Sequence, residues 1–161
     1  MRKFLPIVAT LALLSALPST SHAFGAFLGW WDTEDFDSGF GIGVSKGKGF
    51  TPLIKIEGRA SWFVFSGDAG APDVHIIPLE AVGKVTLGIV YGGVGIGWYF
   101  YDQEIKNNAG FQILGGAQLP LAALTLFGEL RYVVAQGELA GVDLKADGFG
   151  INVGVNLNLL K

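Results

Sequence analysis

The segment from Gly148 to Leu159, GFGINVGVNLNL, sets an apolar side chain at every second position, with Gly or Asn between. A period of two sends successive side chains to opposite faces. The segment therefore reads as a strand with one apolar face and one small, polar face. Seven earlier segments follow the same rule: Phe24–Trp31, Gly39–Lys46, Leu53–Phe65, Val74–Leu87, Val90–Asp102, Ala109–Leu119 and Leu124–Val134. No stretch carries a convincing 3.6-residue period. The count is even, and each segment is near the roughly 9–11 residues that cross a bilayer when tilted. The connections alternate as well. Long polar loops follow the first, third, fifth and seventh segments, and shorter ones follow the second, fourth and sixth. Short turns at one end and long loops at the other suit a closed membrane barrel with both chain ends on the short-turn side.

Parity sorts the residues into two faces. One face collects Ile54, Ile56, Ala60, Trp62 and Val64, then Ile77, Leu79, Ala81 and Val85, and continues in the same way through the later segments. Lys46, beside a turn, is its main charged exception. The other face carries Lys55, Glu57, Arg59, Glu80, Lys84, Glu129 and Arg131, together with Gln112, Asn152, Asn156 and a series of glycines. In a soluble barrel the apolar face is the core and water meets a surface made largely of Gly. In the inverted arrangement lipid meets the large apolar side chains, and small residues with a few charges fill a narrow interior. Eight strands enclose little more than their own side chains, so glycine inside is a steric requirement. The alternative, a secreted soluble barrel binding an apolar ligand, needs the opposite placement.

The start of the chain supports export. Arg2 and Lys3 precede an apolar run from Phe4 to Pro18, and Ser21-His22-Ala23 supplies small residues at the positions a signal peptidase reads. The expected organisation is a secretory signal peptide over residues 1–23 and a barrel domain over 24–161. The apolar run is too short for a membrane helix and contains Pro6. Residue 24 is Phe, so there is no lipoprotein anchor point. The chain has no cysteine, 50% hydrophobic residues and a net charge of −3. These values exclude a disulfide scaffold and thiolate metal sites. They also leave no basic footprint for nucleic acid.

Aromatic residues gather at one end, beside the long loops. Trp30 and Trp31 close the first segment and Phe40 opens the second. Trp62 ends the third, Trp98 and Phe100 the fifth, and Tyr132 the seventh; Phe111 opens the sixth and Phe149 the eighth. Aromatics at one level form a belt at a membrane–water interface, and the expected outer girdle is Trp30, Phe40, Trp62, Trp98, Phe100, Phe111, Tyr132 and Phe149. At the other end Phe24 is the clearest candidate.

The run VYGGVGIGWYFYD, followed by GFQILGGAQLP, LFGELRY and the final GFGINVGVNLNL, resembles the small bacterial outer-membrane β-barrel family, which groups OmpA-type transmembrane domains with OmpX-like barrels. The resemblance covers nearly the whole chain after residue 23. It implies an eight-stranded antiparallel barrel in the outer membrane, inserted by the outer-membrane assembly machinery. It rests on patterns of residue class. One departure is plain: such barrels usually end in an aromatic residue, and this chain ends Leu159-Leu160-Lys161.

The chemistry-bearing residues point to structure more than to catalysis. Lys55, Arg59, Lys84 and Arg131 nearly balance Glu57, Glu80 and Glu129, and charges in a narrow interior persist only when paired. The expected result is a salt-bridge network that plugs the lumen; an ion path is the functional alternative. His75, with Asp73 and Ser66 on the same loop, supplies the residue types of a nucleophile–base–acid set, as in a lipid A-modifying barrel enzyme, but polar loops commonly hold all three. The acidic stretch Asp32-Thr33-Glu34-Asp35-Phe36-Asp37 lacks the spacing of an EF-hand loop. The glycine runs fit neither a dinucleotide fingerprint nor a P-loop. The reading is therefore an all-β, closed eight-stranded antiparallel transmembrane β-barrel after a cleaved signal peptide. It has no catalytic, metal or cofactor site. Its partners are outer-membrane lipid and lipopolysaccharide, the assembly machinery and an unidentified surface ligand, and the barrel is monomeric.

Overall fold

In the chain's sheet, the wall strands pair antiparallel in order around the barrel and the last strand returns to the first. The computed structural model describes residues 22–51, 53–66, 73–102, 107–121, 123–139 and 142–159. Its strands are β1 (His22–Thr33), β2 (Gly39–Gly49), β3 (Ile54–Phe65), β4 (Val74–Leu87), β5 (Val90–Tyr101), β6 (Asn108–Leu121), β7 (Leu124–Leu139), β8 (Val142–Lys145) and β9 (Gly148–Leu159). Consecutive antiparallel pairs run from β1 to β7. β7 then pairs with β9, and β9 with β1. The eight strands β1–β7 and β9 close the barrel, so no strand of the wall has an unpaired edge to protect. Of the expected leader, only His22 and Ala23 fall among the described residues, at the start of β1.

β8 is an addition to the eight expected strands. β7 continues past Val134 to Leu139, and β8 folds back on that extension in the register Gln136↔Lys145 to Leu139↔Val142. Only residues 140 and 141 separate the paired strands, a spacing that favours a hairpin over an open loop. The seventh connection therefore projects as a two-stranded ribbon. The opposite end is built from tight turns. β4 and β5 are joined by two residues, and Gly88 has a φ of 67°, which glycine adopts without steric cost. At the β2–β3 turn, the Thr51 hydroxyl accepts hydrogen bonds from the backbone N–H of Leu53 and Ile54.

Burial is inverted relative to a water-soluble protein. Among the described residues, large apolar side chains such as Phe40, Ile96 and Leu130 stand exposed on the outer wall, Phe40 and Ile96 at 70% each. Meanwhile Glu57, Arg59, Glu80, Lys84, Glu129 and Arg131 are buried inside. The alternation explains this directly: in β3 the burial pattern changes at every residue from Glu57 to Phe65. A soluble apolar-ligand barrel needs its apolar face inside, so this placement removes that alternative. The outer wall is that of a membrane-spanning barrel.

Candidate functional site: a charged lumen under an aromatic cap

The inward face of β3 carries Lys55, Glu57, Arg59 and Ser61, then Phe63 and Phe65 toward the long-loop end. β4 runs the other way and brings Glu80 and Lys84 alongside. β7 supplies Glu129 and Arg131 from across the lumen. Two linked groups result.

The lower group centres on two carboxylates. Arg59 donates from Nη1 and Nη2 to the two oxygens of Glu129, at 2.6 and 2.7 Å, and from Nε to Glu57 Oε1 at 2.7 Å. A fork-to-fork guanidinium–carboxylate pair is the strongest and most directional geometry such groups adopt. Lys84 Nζ lies 3.2 Å from Glu57 Oε2 and 3.3 Å from Glu129 Oε2. The Tyr91 hydroxyl donates to Glu129 at 3.1 Å, and Asn152 Nδ2 donates to its other oxygen at 3.2 Å. Lys55 is the outlier of the set: it reaches Glu57 at 3.4 Å from the short-turn rim and keeps its side chain 26% exposed.

The upper group is a single pair. Arg131 Nη1 sits 3.1 Å from Glu80 Oε1, which also accepts the Tyr99 hydroxyl at 3.0 Å. The Arg131 guanidinium lies over the rings of Trp31 and Phe63, with its carbon 5.3 and 5.2 Å from their centroids. A cation over an aromatic face recovers part of the hydration it loses on burial.

Above Arg131 the lumen is not lined by small residues, contrary to the expectation. Trp31, Phe63, Phe65, Ile76, Tyr99, Tyr101 and Val133 form an apolar cluster there. Trp31 is 0% exposed and meets Phe63 and Phe65 edge to face, at 5.6 and 5.5 Å. Trp31 thus points inward, while its neighbour Trp30, one residue away on the strand, points out. Phe36, from the β1–β2 connection, covers the cluster by packing on Phe65 and Tyr101. That connection is tied to the β8–β9 corner. Glu34 N donates to Asp147 O at 2.9 Å, Lys145 N donates to Asp35 Oδ2 at 2.7 Å, and Lys145 Nζ meets Glu34 Oε1 at 3.2 Å. The Glu34 carboxylate holds the Lys145 ammonium above its ordinary pKa.

Sequence parity left these inward aromatics unremarked, although Phe63 and Phe65 share the parity of Lys55, Glu57 and Arg59. Continuing that parity to the strand ends is the signal that finds them. The girdle candidates Trp30, Phe40, Trp62, Trp98, Phe100, Phe111, Tyr132 and Phe149 all lie on the outward face near the long-loop end, and Tyr132 packs edge to face on Phe149 at 4.8 Å. His75 lies against Asp102, the residue that directly follows β5. Its backbone N–H donates to Asp102 Oδ1 at 3.0 Å, its Nε2 lies 3.9 Å from Asp102 Oδ2, and its ring stacks on Trp62 at 5.5 Å. Among the described residues no cluster of three or more His, Asp or Glu is placed to hold a metal ion.

The comparisons with known proteins agree with this geometry at the level of fold. No family model matches the chain, and no curated protein matches it. Solved structures do. The crystal structure of Neisserial surface protein A superposes with a TM-score of 0.63 at 14% identity, covering 86% of this chain and 96% of that one. A de novo designed transmembrane β-barrel superposes with a TM-score of 0.51 at 7% identity, covering 89% and 100%. The chain has the fold of small outer-membrane β-barrels. That a designed barrel shares it at 7% identity shows how much of the likeness is architecture rather than inherited residues.

Proposed function

We propose that the chain is an integral outer-membrane protein whose barrel is a sealed anchor and whose function lies in the outer connections it presents, in surface adhesion or interaction. The single observation that supports this is the filling of the lumen. Three buried carboxylates are paired with three buried cations, and an aromatic cluster covers them under Phe36. Charges this crowded form a plug, and eight strands leave no room for a hydrated path beside them. The leader over residues 1–23, the girdle from Trp30 to Phe149, contact with lipopolysaccharide and insertion by the assembly machinery as a monomer belong to the same reading. Neisserial surface protein A is, by its name, a surface protein, and the same placement suits this chain. Catalysis is not part of this reading: the His75 ring stacks on Trp62, and its Nε2 lies 3.9 Å from Asp102 Oδ2.

Cell fractionation and planar-bilayer recording test the reading. The chain is expected in the outer-membrane fraction, with altered gel mobility when unheated, and to give no steady conductance. Recovery in the soluble periplasmic fraction would reject the membrane assignment. A steady, ion-selective current would reject the plug.

A further inference from the structure

Charge on this barrel is segregated by end, and the basic end faces a lipid surface. Three carboxylates point into the lumen; among the described residues every other acidic residue falls at or beyond the long-loop ends of the strands. Among the described residues, the short-turn end carries no acidic side chain. On the outward, lipid-facing wall below the outer rim, Lys46 and Lys48 of β2 are the charged side chains among the described residues. They lie two residues apart on one face. Lys46 is paired across the sheet with Phe24, and Lys48 with Ile56, both exposed to the lipid side. Lys48 Nζ sits 5.7 Å from the centroid of Phe50, which is 61% exposed. Neither lysine has a carboxylate within ion-pair distance among the described residues.

A lysine on the lipid face is costly at mid-bilayer and nearly free at the interface, where its long stem reaches the headgroups. Two such lysines beside exposed aromatics mark the headgroup level of the inner leaflet. Their uncompensated charge selects what sits there. We infer that Lys46 and Lys48 form a binding surface for the phosphate of an anionic phospholipid in the periplasmic leaflet. The acyl chains of that lipid lie against Phe24, Ile54 and Ile56. The proposal rests on the membrane-spanning reading above and adds a lipid class and a leaflet to it. Attraction of a basic group to an anionic surface corresponds to roughly a fivefold preference per lysine.

The test uses the full chain refolded into nanodiscs of phosphatidylcholine containing one quarter phosphatidylglycerol, with retained lipids counted by native mass spectrometry. The wild-type barrel is expected to retain phosphatidylglycerol over phosphatidylcholine at a ratio roughly tenfold or more above their bulk ratio. The Lys46→Gln, Lys48→Gln double variant is expected to keep it near its bulk share, with the same heat-dependent gel shift as the wild type. Retention of the two lipids in their bulk ratio by the wild type, or unchanged enrichment in the double variant, would overturn the proposal. Loss of the enrichment on adding inorganic phosphate would overturn the lipid as the source and leave a free-phosphate site. Failure of the chain to enter bilayers would sink the membrane reading itself, a different result from insertion without lipid preference.

Discussion

Glu129 is the hub of the lower lumen group, and its removal gives a worked test of the network. Glu129→Leu takes away two short charge-assisted hydrogen bonds from Arg59, at 2.6 and 2.7 Å, and an ion pair with Lys84 at 3.3 Å. It also strands the Tyr91 hydroxyl and the Asn152 amide. Hydrogen bonds to charged groups contribute about 1.5–3 kcal/mol each, and breaking one partner of a buried pair typically costs about 3–5 kcal/mol. Glu57 still holds Arg59 at 2.7 Å and Lys84 at 3.2 Å, which places the expected loss near about 3–4 kcal/mol. Arg59→Met alone leaves Glu129 with only Lys84 for charge. Combining the two substitutions removes the uncompensated charges together, so the double variant should lose less than the sum of the singles. The expected coupling energy is at least about 2 kcal/mol. The assay is equilibrium urea unfolding of vesicle-refolded protein, followed by tryptophan fluorescence and by gel mobility. A coupling below about 0.5 kcal/mol would refute the argument, because additivity is the behaviour of groups that do not share a network.

The adjacent tryptophans make a second test. Trp31→Ala empties the middle of the aromatic cluster and should cost about 3–5 kcal/mol in the same unfolding assay, whereas Trp30→Ala, on the outward face, should cost much less. The glycines divide in the same way. A Cβ at Gly41 would stand 2.5 Å from the Trp62 carbonyl oxygen and 2.7 Å from the Phe63 ring. Gly41→Ala should therefore destabilise by about 1–3 kcal/mol and lower the folded yield on refolding. A Cβ at Gly128 meets nothing within 4 Å, so Gly128→Ala should be neutral or stabilising by up to about 1 kcal/mol. The Lys145–Glu34 bridge is exposed, and Glu34→Gln should leave the unfolding midpoint unchanged.

The faces of this barrel were legible because one rule, alternation, governs every wall strand. Ile54, Ile56, Ala60 and Trp62 are separated by Lys55, Glu57, Arg59 and Ser61, and no other placement satisfies both sets at once. The partnerships were not legible. Arg59 and Glu129 lie 70 residues apart, and they meet because of the stagger at which β3 and β7 face each other across the lumen, which no local pattern encodes. The aromatic cap was hidden for a different reason. Trp31, Phe63 and Tyr99 are the same residue types as the outward girdle and sit at the same strand ends, so composition reads both as one belt. The β8 ribbon escaped because AQGELAGVDLKAD has the Gly and acidic content of a loop, while its pairing is backbone to backbone.

The tie between the β1–β2 connection and the β8–β9 corner continues a ladder. β1 and β9 pair from His22↔Leu159 up to Thr33↔Gly148, and the bonds from Glu34 and Asp35 to Asp147 and Lys145 extend that seam beyond the wall. This joins the two ends of the chain, so it is the contact with the greatest separation in sequence and the heaviest entropic demand on closure. An unfinished barrel gapes along this line. The outer bonds act as a latch across it, holding the first and last strands in register beyond the wall. Sequence beyond the wall is thereby part of what keeps the barrel shut, and substitutions at Asp35 or Asp147 carry consequences for its closure.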